Sequence, residues 1–122
     1  LFSLRALSGD QVLIEITLRI GNIIREADTV ARLGGDEFVV LLPDLSHVDE
    51  CKVTLKRLLE TIALPVCLQD QSFFLTTSIG VSIFPDDNNN PDMLLRHADQ
   101  AMYIAKQSGK NRYHLYDATQ DQ

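Results

Sequence analysis

Two runs rich in valine and leucine, residues 30–33 and 37–42, are separated only by Gly34-Gly35-Asp36 within the stretch ARLGGDEFVVLLPDL (31–45). Each run has the length of a strand, and the glycines supply the backbone freedom that a tight reversal needs. The chain must therefore fold back here as a β-hairpin. Asp36 and Glu37 then fall side by side at its tip, where their charges repel. Two readings accommodate them. One is a solvated turn, the ordinary fate of Gly/Asp clusters. The other is a site in which a cation cancels the repulsion, since magnesium takes one or two carboxylates together with phosphate oxygens. Gly34 and Gly35 would then let backbone N–H groups approach a phosphate closely. Neighbours in an extended segment point to opposite faces, so each acid can take its own role.

The rest of the chain alternates between helical and strand periods. A helix is predicted from Ser8, with Ser8 and Gln11 matching a capping box and Val12, Ile16, Ile20, Ile23 and Ala27 forming one stripe. Gly21 weakens it somewhat. Ser46 is expected to cap a second helix bearing Val48, Cys51, Leu55, Leu58, Leu59 and Ile62, which Pro65 ends. Residues 66–68 and 72–84 predict a second hairpin around Gln69-Asp70-Gln71. In its long arm Leu75, Thr77, Ile79, Val81 and Ile83 share one face. Thr76, Ser78, Gly80 and Ser82 share the other, small enough for a helix or a ligand to come close. Asn90-Pro91 opens a third helix with Leu94, Leu95, Ala98, Ala101, Met102 and Ala105 on its buried face, and Gly109 closes it. Tyr113 to Tyr116 is a last short strand, and a polar tail follows Asp117. The pattern is an α+β fold, with helices packed on an antiparallel-rich sheet. LFSLRAL (1–7) holds no turn signal and runs straight into the first helix, so the strand that should enter that helix is expected to be missing.

A length of 122 residues fits a single domain over 1–122, and 45% hydrophobic residues supply a core and exclude disorder. The net charge of −6 argues against general binding to nucleic acid or to an anionic membrane, but leaves a nucleotide ligand open, because local charge decides that. Cys51 and Cys67 lack CxxC or zinc-site spacing and are expected to be small core residues. No apolar run approaches the ~20 residues of a membrane span. The expectation is a soluble cytoplasmic domain, with membrane anchoring of a longer parent left open.

The hairpin run ARLGGDEFVVLLP resembles the signature of GGDEF domains, the diguanylate cyclase family. SGDQVL (8–13), TTSIGVSIFP (76–85) and LLRHADQAMYIAKQSGKNRYHLYD (94–117) stand in that family's order, so the likeness spans residues 8–117, leaving 1–7 atypical and 118–122 as a tail. The resemblance implies a nucleotidyl-cyclase-like fold and the condensation of two GTP molecules into cyclic di-GMP, with release of two pyrophosphates. It implies one GTP per subunit and a catalytic homodimer. Gly34 and Gly35 would lie against the nucleotide. Asp36 would bind a two-metal site of Mg2+ (or Mn2+), and Glu37 would be a further metal ligand or help to deprotonate the 3′-hydroxyl. Asp10 matches the aspartate that accepts from the guanine edge, although alone it is an acid in a helix's first turn, where the dipole favours it. Lys106 and Lys110 match the positions that hold GTP phosphates, the second usually arginine. Alone they are solvated cations at a helix C-terminus. Arg25-Glu26-Ala27-Asp28 is an RxxD ending six residues before Gly34, the family's inhibitory site for cyclic di-GMP, and on its own an i,i+3 ion pair. Lys56 or Arg57 would add a cation to it.

The front of the chain departs from the pattern. Family members carry an Asp-rich strand before the first helix, whose first aspartate is a metal ligand, and an Asn-Asp-x-x-Gly-His segment ahead of the Gly-Asp that here is Gly9-Asp10. Those latter positions read Leu1, Phe2, Arg5 and Ala6. Weak metal binding, little cyclase activity in the isolated chain and an open slot in the sheet are expected. The alternative function is a catalytically inactive module that binds GTP or cyclic di-GMP and regulates an attached domain. An EAL-type phosphodiesterase is one such neighbour, and the Tyr113-to-Asp117 ending resembles the junction to it.

Overall fold

The computed structural model describes residues 2–6, 10–34, 37–43, 45–68, 70–75, 77–87 and 89–119, with backbone alone at 2–6, 10–13, 33, 34, 68 and 73. The order of elements is β1 (Phe2–Ala6), α1 (Asp10–Ile23), β2 (Thr29–Gly34), β3 (Glu37–Leu41), α2 (Val48–Ile62), β4 (Val66–Leu68), β5 (Gln71–Phe73), β6 (Thr77–Val81), α3 (Pro91–Gln107) and β7 (Arg112–Leu115). Five strands form the main sheet in the order β2-β3-β1-β6-β7, and β4-β5 make a separate ribbon. Every neighbouring pair is antiparallel except β6 and β7, which are parallel and joined through α3. Among the described residues, no helix is long and apolar enough to cross a membrane.

The expected gap at the front of the sheet is not there. Residues 2–6 form the central strand, paired with β3 through Phe2↔Val40 and Leu4↔Phe38, and with β6 through Phe2↔Val81 and Leu4↔Ile79. Phe2 and Leu4 thus take register positions beside the four core residues Phe38, Val40, Ile79 and Val81. Backbone pairing asks only for an extended segment with apolar residues at alternate positions, and FSLRA supplies that. It does not ask for the aspartates whose absence had suggested that the strand was missing.

The sheet is covered on both faces. Ile16 and Ile20 of α1 and Leu55, Leu58 and Ile62 of α2 pack in one cluster with Phe38, Val40, Ile79 and Val81. On the opposite face α3 lies directly on Gly80, where an added methyl would collide with the Ala98 carbonyl oxygen and the Met102 amide nitrogen. The Ser82 hydroxyl fixes the register by donating to the Leu94 carbonyl at 2.7 Å. The small face of the long arm therefore receives a helix, which is why all five residues of β6 are buried.

Local differences from the sequence reading have local causes. The first helix stops at Ile23, so Ala27 is exposed in the turn beyond it and not on the stripe. Ser8 lies outside the described residues. The N-cap of α2 is His47, not Ser46. The Ser46 amide, one residue ahead of that cap, instead donates to Glu50 Oε2 at 3.3 Å. The arm 72–84 is split, its first part pairing with β4 and only Thr77–Val81 joining the main sheet. Cys51 is buried as expected, whereas Cys67 is exposed on the small ribbon beside Ser72. On α3, Asn90 caps as predicted, accepting from the amides of Asp92 and Met93 at 2.9 and 3.3 Å.

One residue of the scaffold carried no signal in the sequence. The Arg19 guanidinium collects the carbonyls of Thr61, Ile62, Leu64 and Pro65 at 2.7–3.2 Å and pairs with Glu15. It ties α1 to the end of α2, satisfying carbonyls that a helix terminus leaves without partners. Arg19→Ala is expected to lower the urea midpoint at unchanged slope, by the equivalent of about 2–3 kcal/mol, the size of a charge-assisted hydrogen-bond cluster. Gly80→Ala is expected to cost about 3 kcal/mol or more, because the obstacle is helix backbone and not a side chain that can turn aside. Thermal melts that match wild type for either variant would contradict these assignments.

Candidate active site at the hairpin end of the sheet

The strand directions bring distant parts of the chain to one end. Glu37 of β3 stands opposite Arg5 of β1, Arg5 opposite Ser78 of β6, and Ser78 opposite Arg112 of β7. This row crosses the sheet in three strand spacings, about 14 Å. Gly34 is the register partner of Glu37, so the turn between β2 and β3 sits above one end of the row. Asp10 begins α1 four residues after Ala6, within about 14 Å of the end of β1. At the other end of the row α3 terminates with exposed Lys106 and is followed by exposed Lys110. Of the sequence-predicted residues, Asp10, Gly34, Glu37, Lys106 and Lys110 thus converge on one edge of the fold. Gly35 and Asp36 lie outside the described residues, and so does the side chain of Asp10.

The cationic arm of this edge has a defined backbone. Past the C-cap Ser108, the Gly109 amide donates to the Lys106 carbonyl at 3.5 Å and the Lys110 amide to the Ala105 carbonyl at 3.2 Å. That is the hydrogen-bond pattern of a Schellman motif, with glycine at the position that demands φ > 0. Gly109 has φ +127°, but the left-handed run continues through Lys110 (60°) and Asn111 (50°). Asparagine tolerates this region, whereas lysine is strained in it by about 1–3 kcal/mol. Sequence reasoning singled out Lys106 and Lys110 but not Arg112, whose Nε donates to the Lys110 carbonyl at 3.2 Å.

As for a metal, the described carboxylate at this edge is half-buried Glu37, and β1 (FSLRA) contributes no acid. Among the described residues, no group of three His, Cys, Asp or Glu side chains is placed to hold an ion. One described carboxylate leaves most positions around a magnesium ion to be filled by other oxygens, such as those of a phosphate.

Arg25 and Asp28 lie at the opposite end, where α1 turns into β2. Their side chains pair with each other: Arg25 Nη2 is 2.9 Å from Asp28 Oδ1, the Arg25 amide donates to Oδ2 at 2.7 Å, and Nη2 also donates to the Pro43 carbonyl at 2.8 Å. The Asp28 side chain is 2% exposed and that of Arg25 is 52% exposed, so the carboxylate is enclosed while the guanidinium keeps an open face. Burial pushes the Asp28 carboxyl up, but the hydrogen bonds and charge of Arg25 outweigh it and hold the group below the ordinary aspartate value. A cleft of about 780 Å³ opens at this same end, walled by Leu41, Leu42, Pro43, Val81 and Phe84. Lys56 and Arg57 are exposed on α2.

The family profile described as "Diguanylate cyclase, GGDEF domain" matches residues 6–112. The chain belongs to the GGDEF family. It is 39% identical over 109 residues to the diguanylate cyclase TpbB of Pseudomonas aeruginosa, a match covering 88% of this chain and 25% of TpbB. It is 36% identical over 109 residues to the cyclic di-GMP phosphodiesterase NbdA of the same species, covering 89% of this chain and 14% of NbdA. The crystal structure of the TpbB GGDEF domain superposes with a TM-score of 0.91 at 32% identity, covering 95% of this chain and 80% of that one. The GGDEF chain spans a quarter or less of the length of these two curated relatives.

The Arg25–Asp28 latch makes a pH prediction. The folded-state pKa of Asp28 lies below the unfolded one, so its contribution to stability is fully present above the ordinary aspartate range and is lost as pH falls through the lower folded value. Asp28→Asn is expected to melt below wild type at neutral pH, and the gap should close as pH falls below the ordinary aspartate range. A gap that stays constant over that range in differential scanning calorimetry would show that the carboxylate charge plays no part.

Proposed function

We propose that the hairpin end of the sheet binds GTP with Mg2+ (or Mn2+), and that the domain serves the synthesis of cyclic di-GMP. The single observation that supports this best is the convergence of the Gly34–Glu37 turn, the start of α1 and the Lys106–Lys110 arm on one edge, although they are up to about a hundred residues apart in sequence. In this reading Asp10 accepts from the guanine edge, and Gly34 and Gly35 let the backbone approach the phosphates. Lys106 and Lys110 hold the phosphates. Asp36 holds the cation, and Glu37 either joins it as a metal ligand or helps to deprotonate a 3′-hydroxyl. Bound cation would neutralise charge on the triphosphate, the principal need in such transfers. The reaction has each 3′-oxygen attack the α-phosphorus of the GTP on a facing subunit, so that two P–O bonds form, two break and two pyrophosphates leave. The domain then acts as a homodimer, in the cytoplasm and within a longer parent that carries further domains, an EAL-type one among them.

The residue types of β1, FSLRA, favour a second reading. A central strand without an acid leaves the two hairpin carboxylates to do the work of three, so turnover by the isolated chain is expected to be low even where nucleotide binds. The domain would then act as a GTP or cyclic di-GMP sensor for an attached partner, with the latter ligand taken at Arg25 and Asp28.

Calorimetry with GTP and millimolar Mg2+, and separately with cyclic di-GMP, tests both readings. GTP heat that falls about tenfold in affinity on Lys106→Ala is the expected result for the proposed site, the scale of a lost charge-assisted phosphate contact. Product analysis by chromatography then separates cyclase from sensor. Absence of any GTP heat in the wild-type domain would remove the first reading, and a cyclic di-GMP signal that survives Arg25→Ala would remove the second site.

A further inference from the structure

Lys110 is displayed from a backbone conformation that lysine does not choose, and the Schellman bonds explain only part of it. They hold the Gly109 and Lys110 amides, but not the Lys110 carbonyl. Arg112 supplies that contact. Its Nε donates to the Lys110 oxygen at 3.2 Å. Its guanidinium folds back over the open side of Gly109, where a Cβ would come within 2.7 Å of Nη2 and 3.2 Å of Cζ. Gly109 thus suits its φ of +127° and leaves open the side against which Arg112 folds. Arg112 is itself anchored as the first residue of β7, in register with buried Ser78. The sheet thus reaches through one hydrogen bond to the loop that carries the lysine.

We infer that Arg112 is a positioning residue: its Nε–H···O bond to the Lys110 carbonyl holds the left-handed run 109–111 and keeps the Lys110 ammonium presented to the triphosphate. The inference rests on the reading of Lys110 as a phosphate ligand. It differs from a direct role, in which the Arg112 charge would itself meet the anion, and the two separate by chemistry. Glutamine places its amide nitrogen the same number of bonds from Cα as arginine places Nε, so it keeps the donor and loses the charge. Lysine keeps the charge but carries its donor one bond further out.

The test uses the whole domain with Arg112→Ala, Arg112→Gln and Arg112→Lys. In the ligand-free protein, hydrogen exchange of the Lys110 amide is expected to rise about tenfold in Arg112→Ala and to stay within about twofold of wild type in Arg112→Gln, with Ala101 and Ala105 of α3 unchanged. Titration with GTP and Mg2+ is expected to show about tenfold weaker binding for the Ala and Lys variants, and near-native binding for Gln. Unchanged exchange at Lys110 in Arg112→Ala overturns the inference. So does native affinity in Arg112→Lys with loss in Arg112→Gln, the signature of direct charge. Should wild type take up no GTP at all, the functional reading fails, and the exchange data alone still decide whether Arg112 holds the loop.

Discussion

The distance between α3 and the sheet is set by what Gly80 lacks. Helix backbone rests on strand backbone there, with room for no further atom, and the Ser82–Leu94 hydrogen bond keeps the helix from sliding along the strand. The position of everything that α3 carries follows from this contact. Met102 touches Gly80, and Lys106 lies one turn further on, about 6 Å along the axis at 1.5 Å per residue. The helix then ends where β6 begins, so its terminal cations arrive at the same end of the sheet as the turn between β2 and β3. A bulkier residue in the middle of β6 would lift the helix and carry that cationic arm away from the sheet edge, although residue 80 itself is far from any ligand.

The two ends of the sheet use their charges differently. At the hairpin end Lys106, Lys110 and Arg112 are exposed at one side of the sheet and half-buried Glu37 stands three strands away along the same row. At the other end Arg25 and Asp28 are closed on each other, and the enclosed carboxylate is the one held charged. A ligand seeking the Arg25 guanidinium has its solvent-facing side at once, while taking the Asp28 side would strand a buried carboxylate, which is costly. Both constellations are written in the sequence as short motifs with charged residues at fixed offsets. Geometry separates an open site from a latched pair.

How far the sequence alone led depended on whether the governing signal was local. Caps, turns and helix faces are local: Asn90-Pro91 before α3, Gly109 after it and the turn at Gly34 were all legible, and so was the alternation of small and large residues along 77–83. The fold class followed from these. Arg19 was not legible, because its partners are carbonyls more than forty residues away and any residue type can supply a carbonyl. Arg112 escaped for a similar reason, since its role depends on a backbone oxygen and on the space beside a glycine. His97 carried no signal either: it is buried and stacks on Tyr116 at a centroid separation of 4.0 Å. The first strand differs from its sequence reading because LFSLRAL carries neither a turn signal nor the family's aspartates, and backbone pairing needs neither.

That last difference separates architecture from chemistry. A slot between two strands is lined by amides and carbonyls, which any residue but proline can match in full. A protein seat for a hard divalent ion such as magnesium draws on carboxylates, which only two side-chain types provide. The five positions of β1 can therefore drift widely while the sheet endures, whereas a strand such as FSLRA, without an acid, has no carboxylate to offer an ion. Descendants of an active enzyme can in this way shed catalysis and keep a folded, ligand-accessible body, ready to be recruited for recognition alone.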